Sequence, residues 1–308
     1  MTATVFIDGE AGTTGLQIRN KLAAVAGVAQ RSLRADARKD LDAKKRLLAE
    51  VDLAILCLPD EAARQTAALV ESMGEAGPRL IDASSAHRVA AGWIYGFPEL
   101  SPEQSEAIAA ARKVSNPGCH ATGAIALLRP LTERGLLGTE TPVTIASVSG
   151  YTGGGKSMIA AFESGAAPAF ELYGLGLEHK HIPEIHAYSG LAARPLFVPS
   201  VGNFAQGMLV SVPLQLDALP GGPTGRDLSL ALEDHYRGRR FVSVLPMAES
   251  GGGEDRLEAE SLNGTNDMQL RVFANEKRRQ AVLVAKLDNL GKGAAGAAVQ
   301  NLRLMLGL

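Results

Sequence analysis

The chain predicts an α/β fold in two parts: a doubly wound parallel sheet, then an α+β region with a mainly antiparallel sheet. Three observations carry this. A short apolar strand runs straight into a glycine-rich turn and a helix within the first 22 residues. Continuous apolar runs then alternate with helically spaced ones as far as residue 116, as in parallel strands covered on both faces. Beyond that point apolar and polar residues alternate along several strands, as in a sheet with one covered face.

Residues 4–7 form the first strand. Asp8-Gly9-Glu10-Ala11-Gly12-Thr13-Thr14-Gly15 follows, then a helix with apolar positions Leu16, Ile18, Leu22, Val25 and Val28. Strand, glycine turn and helix is the Rossmann-type arrangement, in which a pyrophosphate rests on a helix N-terminus. Gly9 and Gly12 let backbone and phosphate approach, Gly15 lets helix and strand pack, and Thr13 and Thr14 occupy the first helical turn. The spacing is G-x-x-G-x-x-G, a variant of the usual G-x-G-x-x-G. Arg31, Arg34 and Arg38 gather at the second βα junction with Ser32 between the first two. Guanidinium groups there accommodate a 2′-phosphate, which favours NADP over NAD despite the nearby Asp36. Residues 51–58 read as a buried strand containing Cys57, 61–73 as a helix, and 79–83 as a strand leading into Ser84-Ser85-Ala86-His87-Arg88.

The middle of the chain carries the chemistry. Ser115-Asn116-Pro117-Gly118-Cys119 delivers one thiol through a Pro-Gly turn just ahead of an apolar helical run, 121–131. A thiol at a helix N-terminus meets free N–H groups and the positive end of the dipole, which favour the nucleophilic thiolate. A strand over 141–149 enters Gly150-Tyr-Thr-Gly-Gly-Gly155-Lys156-Ser157, which matches the P-loop pattern. The Pro-broken sequence after it, with no second strand ending in a magnesium-binding acid, reads instead as a flexible loop beside a substrate pocket. Glu178-His179-Lys180-His181-Ile182-Pro183-Glu184-Ile185-His186 sets three histidines and two acids within nine residues. Their spacing fits no zinc pattern, so no metal is expected, and an imidazole is the natural acid–base partner of a thiolate. His87, His120 and His235 read as polar surface or supporting groups.

Composition narrows the class. The chain has 308 residues, 46% of them hydrophobic, and a formal net charge of −2. It presents no basic footprint for nucleic acid and no polybasic membrane stripe. Two distant cysteines suit a reducing compartment. The first residues lack a signal-peptide pattern and no apolar run reaches the length of a membrane span, so a cytoplasmic protein is expected. The division reads as 1–116 for the nucleotide domain, 117–288 for the catalytic and oligomerisation domain, and 289–308 as a tail whose helix, 290–306, returns to the first domain. Strands are expected over 207–216, 241–245, 267–274 and 280–287, with Val210, Val212 and Leu214 as an oligomer face. Surface loops are expected at 219–223 and 251–253.

Taken together these residues resemble the short-form N-acetyl-gamma-glutamyl-phosphate reductases, relatives of aspartate-semialdehyde dehydrogenase. The likeness runs through the Gly9–Gly15 turn, Cys57-Leu-Pro59, Asp82-Ala-Ser84-Ser-Ala-His-Arg88, Gly96-Phe-Pro-Glu-Leu100, Ser115–Cys119, Ser147-Val-Ser-Gly150, His179-Lys-His181-Ile-Pro-Glu184-Ile185 and Asp288-Asn-Leu-Gly-Lys-Gly-Ala-Ala-Gly296. It implies NADPH-dependent reduction of an acyl phosphate to an aldehyde in arginine biosynthesis, through a thioester on Cys119, with His181 or His179 as acid–base. It further implies a homodimer or homotetramer. Cofactor contacts fall on Gly9, Gly12, Thr13, Thr14, Gly15, Arg34, Ser84, Asn289 and Lys292, and substrate contacts on Arg88, Asn116, Ser149 and Gly150. Ala86 stands where the longer form carries aspartate. Two other readings compete: aspartate-semialdehyde dehydrogenase, and a P-loop enzyme using residues 150–157.

Overall fold

Strand β1 (Ala3–Asp8) shows how the first unit is built. It is buried from Val5 to Asp8, and successive side chains go to different cores. Val5 and Ile7 join Ile18, Leu22, Leu53 and Leu302, whereas Phe6 joins Leu48, Ala54, Leu56 and Val70. A strand with an apolar cluster on each face must lie between two helical layers. The computed structural model describes residues 2–38, 40–249 and 255–308, and the chain divides into two units.

Unit one comprises the residues up to Pro98, Pro102–Pro117 and Ala294–Leu308. After β1 come α1 (Thr13–Leu22), β2 (Val28–Arg31), α2 (Leu41–Leu48), β3 (Leu53–Leu56), α3 (Asp60–Ser72), β4 (Arg79–Asp82), β5 (Ile94–Tyr95), α4 (Gln104–Ala110) and β6 (Lys113–Ser115). The six strands pair in parallel in the order β2-β1-β3-β4-β6-β5. The first helix stops at Leu22, and Val28, expected on it, opens β2, because the chain reverses through Gly27 at φ +81°. The C-terminal helix, Gly296–Leu306, packs its Ala298, Leu302 and Met305 into the first core. Arg79 fixes this helix and α4 at their carboxyl ends: its guanidinium donates to the carbonyls of Ala109, Ala111 and Met305. Helix ends leave carbonyls without intrahelical donors, and a cation there also meets the negative end of each dipole.

Unit two comprises Glu99–Ser101 and Gly118–Gly293. Its elements are α5 (Cys119–Glu133), β7 (Thr144–Gly150), α6 (Gly155–Glu163), β8 (Phe170–Leu172), α7 (Ile182–Ser189), β9 (Leu196–Gly202), β10 (Met208–Gln215), α8 (Gly225–His235), β11 (Val242–Val244), β12 (Ala248–Glu249), β13 (Met268–Asn275) and β14 (Gln280–Leu287). One sheet orders them β11-β13-β14-β10-β7-β9-β8, with β12 beside β13. Its centre is antiparallel (β13/β14, β14/β10 and β10/β7), but β7/β9, β11/β13 and β12/β13 are parallel, so the sheet is mixed.

Burial alternates along β10 and β13 as the period-2 pattern requires. Val210 and Val212, expected on an oligomer face, are wholly buried, and Leu214 is nearly so. They point at the helical layer: a side chain at Gly123 of α5 would fall 2.7 Å from Val210 Cγ2. The opposite face carries Leu209, Ser211, Val282 and Val284 beside the exposed Phe170 and Leu172. Residues 219–223 form a turn with Gly221 and Gly222 at positive φ, and residues 251–253 lie outside the described residues. Among the described residues no helix is long and apolar enough to cross a membrane.

Arg79→Met should lower unfolding free energy by about 2 kcal/mol, since it leaves several carbonyls without their charged donor. Urea midpoints with an unchanged m-value would check it; a midpoint equal to wild type would show that the guanidinium clamp contributes nothing.

Candidate active site

The nucleotide turn of unit one is shaped by contacts that only glycine permits. Gly9 sits at φ +93°, and a Cβ there would lie 2.2 Å from the Cys57 carbonyl oxygen. A Cβ at Gly15 would lie 2.3 Å from the Gly9 carbonyl oxygen. Gly12 caps α1 in an extended conformation, so Thr13 and Thr14 open the helix half-buried with their N–H groups at the turn. A turn held against its neighbours at both glycines, with a helix N-terminus behind it, is a cradle that fits a pyrophosphate. At the second βα junction Arg34 turns outward, 87% exposed and paired with the exposed Asp36. Arg38 and Ser32 instead reach the buried Glu10 of the turn. Cys57 is core, its thiol pushed up to about 12 by burial and by the nearby Asp82 and Asp8 charges.

Asp82, fully buried at the end of β4, organises the following loop. Its carboxylate accepts from Ser84 N and Oγ, at 2.9 and 2.8 Å, and lies 2.6 Å from His87 Nδ1. The His87 ring stacks on Trp93 at 4.2 Å. Ser84 is thus held by its own strand end, and Arg88, four residues on, is buried. Asn116 is engaged within unit one: its amide donates to the Ala294 carbonyl at 3.0 Å and accepts from Asn301 at 3.1 Å. That side chain ties the C-terminal helix to the end of β6.

In unit two, Cys119 is the first residue of α5, with Gly118 as its N-cap. The Gly118 N–H donates to the Glu184 carboxylate at 3.1 Å, and Glu184 is fully buried. On its other side the cysteine meets backbone: a Cβ at Gly293 would lie 2.6 Å from Cys119 Cβ. The following residue, His120, was expected at the surface or in a supporting role. It is buried at the centre of an aromatic cluster, its Nδ1 2.7 Å from Ser147 Oγ and its Nε2 2.9 Å from the Tyr173 hydroxyl. The rings of His179, His181 and Phe197 lie 5.4–5.7 Å from it. Burial, then the charges of His179 and Lys180, lower His120 to about 3, so it stays a neutral hydrogen-bonding group. Burial also raises Tyr173, and the Cys119 charge adds to that.

His179 and His181 both belong to this cluster, 4.7 Å apart and perpendicular. His179 Nδ1 accepts the His181 backbone N–H, which fixes its tautomer, and His181 caps α7 and is buried. Ser149 and Gly150 end β7; a Cβ at Gly150 would strike the Ala205 carbonyl, so this residue brings two backbones together. The run after it forms a short turn and then α6, with Lys156 and Ser157 exposed. It departs from β7, between antiparallel β10 and parallel β9, and not from a parallel sheet of the P-loop kind.

In the tail Lys292, expected at the nicotinamide, is 1% exposed and its ammonium lies 2.7 and 2.8 Å from the Glu99 carboxylate oxygens, within unit two. A buried carboxylate needs such a paired cation. Asn289 likewise stays in unit two, accepting from Gly207 N–H and donating to Thr152. The α-helix begins at Gly296, after a π-helical turn over Gly291–Ala295. Glu10, Glu99, Tyr173 and Glu184 are residues that sequence reasoning left without a role, although Glu10, Glu99 and Glu184 lie in segments that carry the resemblance.

Comparison with known proteins matches residues 12–108 to the semialdehyde dehydrogenase NAD binding domain and residues 119–289 to the semialdehyde dehydrogenase dimerisation domain. The chain is 52% identical to an N-acetyl-gamma-glutamyl-phosphate reductase of a Chelativorans species, covering 99% of both chains. It is 50% identical to N-acetyl-gamma-glutamyl-phosphate reductase 2 of a Nostoc species, covering 99% of this chain and 97% of the relative. Among solved structures it resembles aspartate semialdehyde dehydrogenase II from Vibrio cholerae, with TM-score 0.74 at 17% identity over 100% of this chain and 99% of that one. Another likeness is the Candida albicans aspartate semialdehyde dehydrogenase with NADP, with TM-score 0.65 at 14% identity over 99% of each chain.

The neutral burial of His120 has a pH signature. Above its ordinary value of 6.5 the imidazole is neutral in folded and unfolded chains alike; between 6.5 and about 3 only the unfolded chain binds the proton. Stability is therefore expected to fall as pH drops through that window, by up to about 1.4 kcal/mol per unit from this residue. His120→Gln should remove that slope, read from urea midpoints at pH 6, 5 and 4. Equal slopes in the two proteins would mean that His120 protonates in the folded state.

Proposed function

Since the chain belongs to the N-acetyl-gamma-glutamyl-phosphate reductase family, we propose that it reduces N-acetyl-gamma-glutamyl phosphate to N-acetylglutamate semialdehyde with NADPH, releasing phosphate, as a step of arginine biosynthesis. Full-length identity near one half to reductases of this name supports the substrate. The observation that carries the chemistry is Cys119 at the first position of α5, beside a cluster of three imidazoles and a phenol in the same unit.

The Cys119 thiolate attacks the γ-carbonyl carbon; the C–S bond forms, the C–O bond to phosphate breaks, and phosphate leaves with its electron pair. The helix N-terminus supports both the thiolate and the developing oxyanion. NADPH, when bound, supplies the hydride that reduces the thioester carbon. The resulting thiohemiacetal oxygen then holds the electron pair that expels the thiolate and leaves the aldehyde. His181 is the group that gives and takes the proton at that oxygen, and His179, fixed by its bond to the His181 backbone, keeps it in place. Gly9, Gly12 and Gly15 with Thr13 and Thr14 hold the cofactor's phosphates. Ser84 stands in the loop beside them, and Arg88 is the candidate cation for a substrate carboxylate or phosphate. Ser149 and Gly150 border the substrate in unit two. The exposed apolar face of the sheet supports assembly into a dimer or tetramer, and a biosynthetic reaction of this kind suits a cytoplasmic protein.

Aspartate semialdehyde is the competing substrate, favoured only by structural likeness at 12–17% identity. The experiment is reversal: the purified protein with N-acetylglutamate semialdehyde, phosphate and NADP should produce the absorbance of the reduced cofactor. Turnover of aspartate semialdehyde alone would defeat the proposal. Cys119→Ser should reduce kcat by at least about 10³-fold with NADP affinity nearly unchanged. His181→Asn should cut kcat more than His179→Asn and flatten the pH profile, and the opposite ranking would assign the proton to His179.

A further inference from the structure

The glycine turn carries a feature that phosphate binding does not need. Glu10, between Gly9 and Gly12, is 8% exposed and is the only acid between the two glycines. Its Oε1 accepts from Arg38 at 2.8 Å; its Oε2 accepts from Ser32 Oγ at 2.8 Å and lies 3.7 Å from Arg19. Ser32 and Arg38 follow β2, where a Rossmann-type unit meets the adenosine ribose. One hydroxyl and a guanidinium at that place make a recognition set for a 2′-phosphate. In the free chain a carboxylate holds both.

We propose that Glu10 sets the discrimination between 2′-phosphorylated and unphosphorylated adenosine cofactors, by competing with the 2′-phosphate for Ser32 and Arg38. The proposal rests on the reading that this unit binds NADP. Both carboxylate oxygens are already engaged, so a neutral ribose hydroxyl gains little by displacing a guanidinium from them. A 2′-phosphate brings up to two negative charges and three acceptor oxygens and can displace the carboxylate. It then pays for separating Arg38 from Glu10 and for lying near a like charge. Ser32 and Arg38 gain a resting partner that keeps them in place, while weak anions are turned away. Arg34, exposed and paired with Asp36, is left outside this exchange.

Binding of two fragments by calorimetry tests it without turnover: adenosine 2′,5′-bisphosphate, which carries the 2′-phosphate, and 5′-AMP, which lacks it. Glu10→Gln keeps the hydrogen-bonding shape and removes the charge. It should tighten the bisphosphate on the order of fivefold, the size of one partly exposed ion pair, and leave AMP within about twofold. Arg38→Met should weaken the bisphosphate by about tenfold or more and spare AMP. An unchanged ratio in Glu10→Gln, or a weaker bisphosphate, would overturn the proposal. Weaker AMP alone would instead make Glu10 the acceptor of a ribose hydroxyl, and so overturn it too. AMP binding doubles as the check on folding, and Glu10→Ala, with the same expected direction, stands in if the glutamine variant fails to fold. Failure of the NADP reading is distinguishable, because the wild-type chain would then bind the bisphosphate no more tightly than AMP.

Discussion

Unit two depends on the close approach of Gly293 to Cys119. No side chain fits between them, and each segment carries a buried charged contact next to the close approach. Lys292, one residue before Gly293, is locked to Glu99, and the Gly118 N–H, one residue before Cys119, is locked to Glu184. Burial lowers the lysine's affinity for its proton and the Glu99 charge opposes that. Such a pair adds little net stability against an apolar replacement, yet breaking it leaves a charge stranded in the interior. It therefore acts as a lock on geometry more than as a source of stability. A nucleophile that must be placed within a fraction of an ångström of an incoming carbonyl needs such a lock.

The imidazole cluster follows from the same logic of burial. His120 stays neutral because its desolvated ring binds Ser147 and Tyr173, neither of which can compensate a charge. A neutral, fully bonded ring beside His179 and His181 fixes their orientation without adding a competing cation. Tyr173, drawn into the same network, brings a phenol that keeps its proton. The cluster thus sets one imidazole, held neutral by burial, against two others just ahead of α7.

In unit one the constraint is the glycine turn, where backbone of β1 and of the segment after β3 come within contact distance at Gly9. The acid set into the turn gives the site a built-in anion, so cofactor recognition becomes an exchange of one anion for another.

Much of this was legible in the sequence. The apolar runs of 51–58 and 79–83 mark parallel strands because a strand covered on both faces has no polar side. Alternation along 267–274 and 280–287 marks the antiparallel pair because one face there is wet. Cys119 and the two histidines stood out through local chemistry: a thiol after a Pro-Gly turn, and imidazoles two residues apart. The tertiary structure alone decided which alternating face is inward, since period 2 names two faces without saying which is covered; Val210 and Val212 went to the helices. It likewise decided that Lys292 pairs with Glu99, 193 residues away, that His120 is core, and that Arg38 and not Arg34 reaches the nucleotide turn. For Lys292 and His120 the deciding term is the desolvation of a polar group by residues distant in sequence, and no local pattern records which partner will be there to offset it.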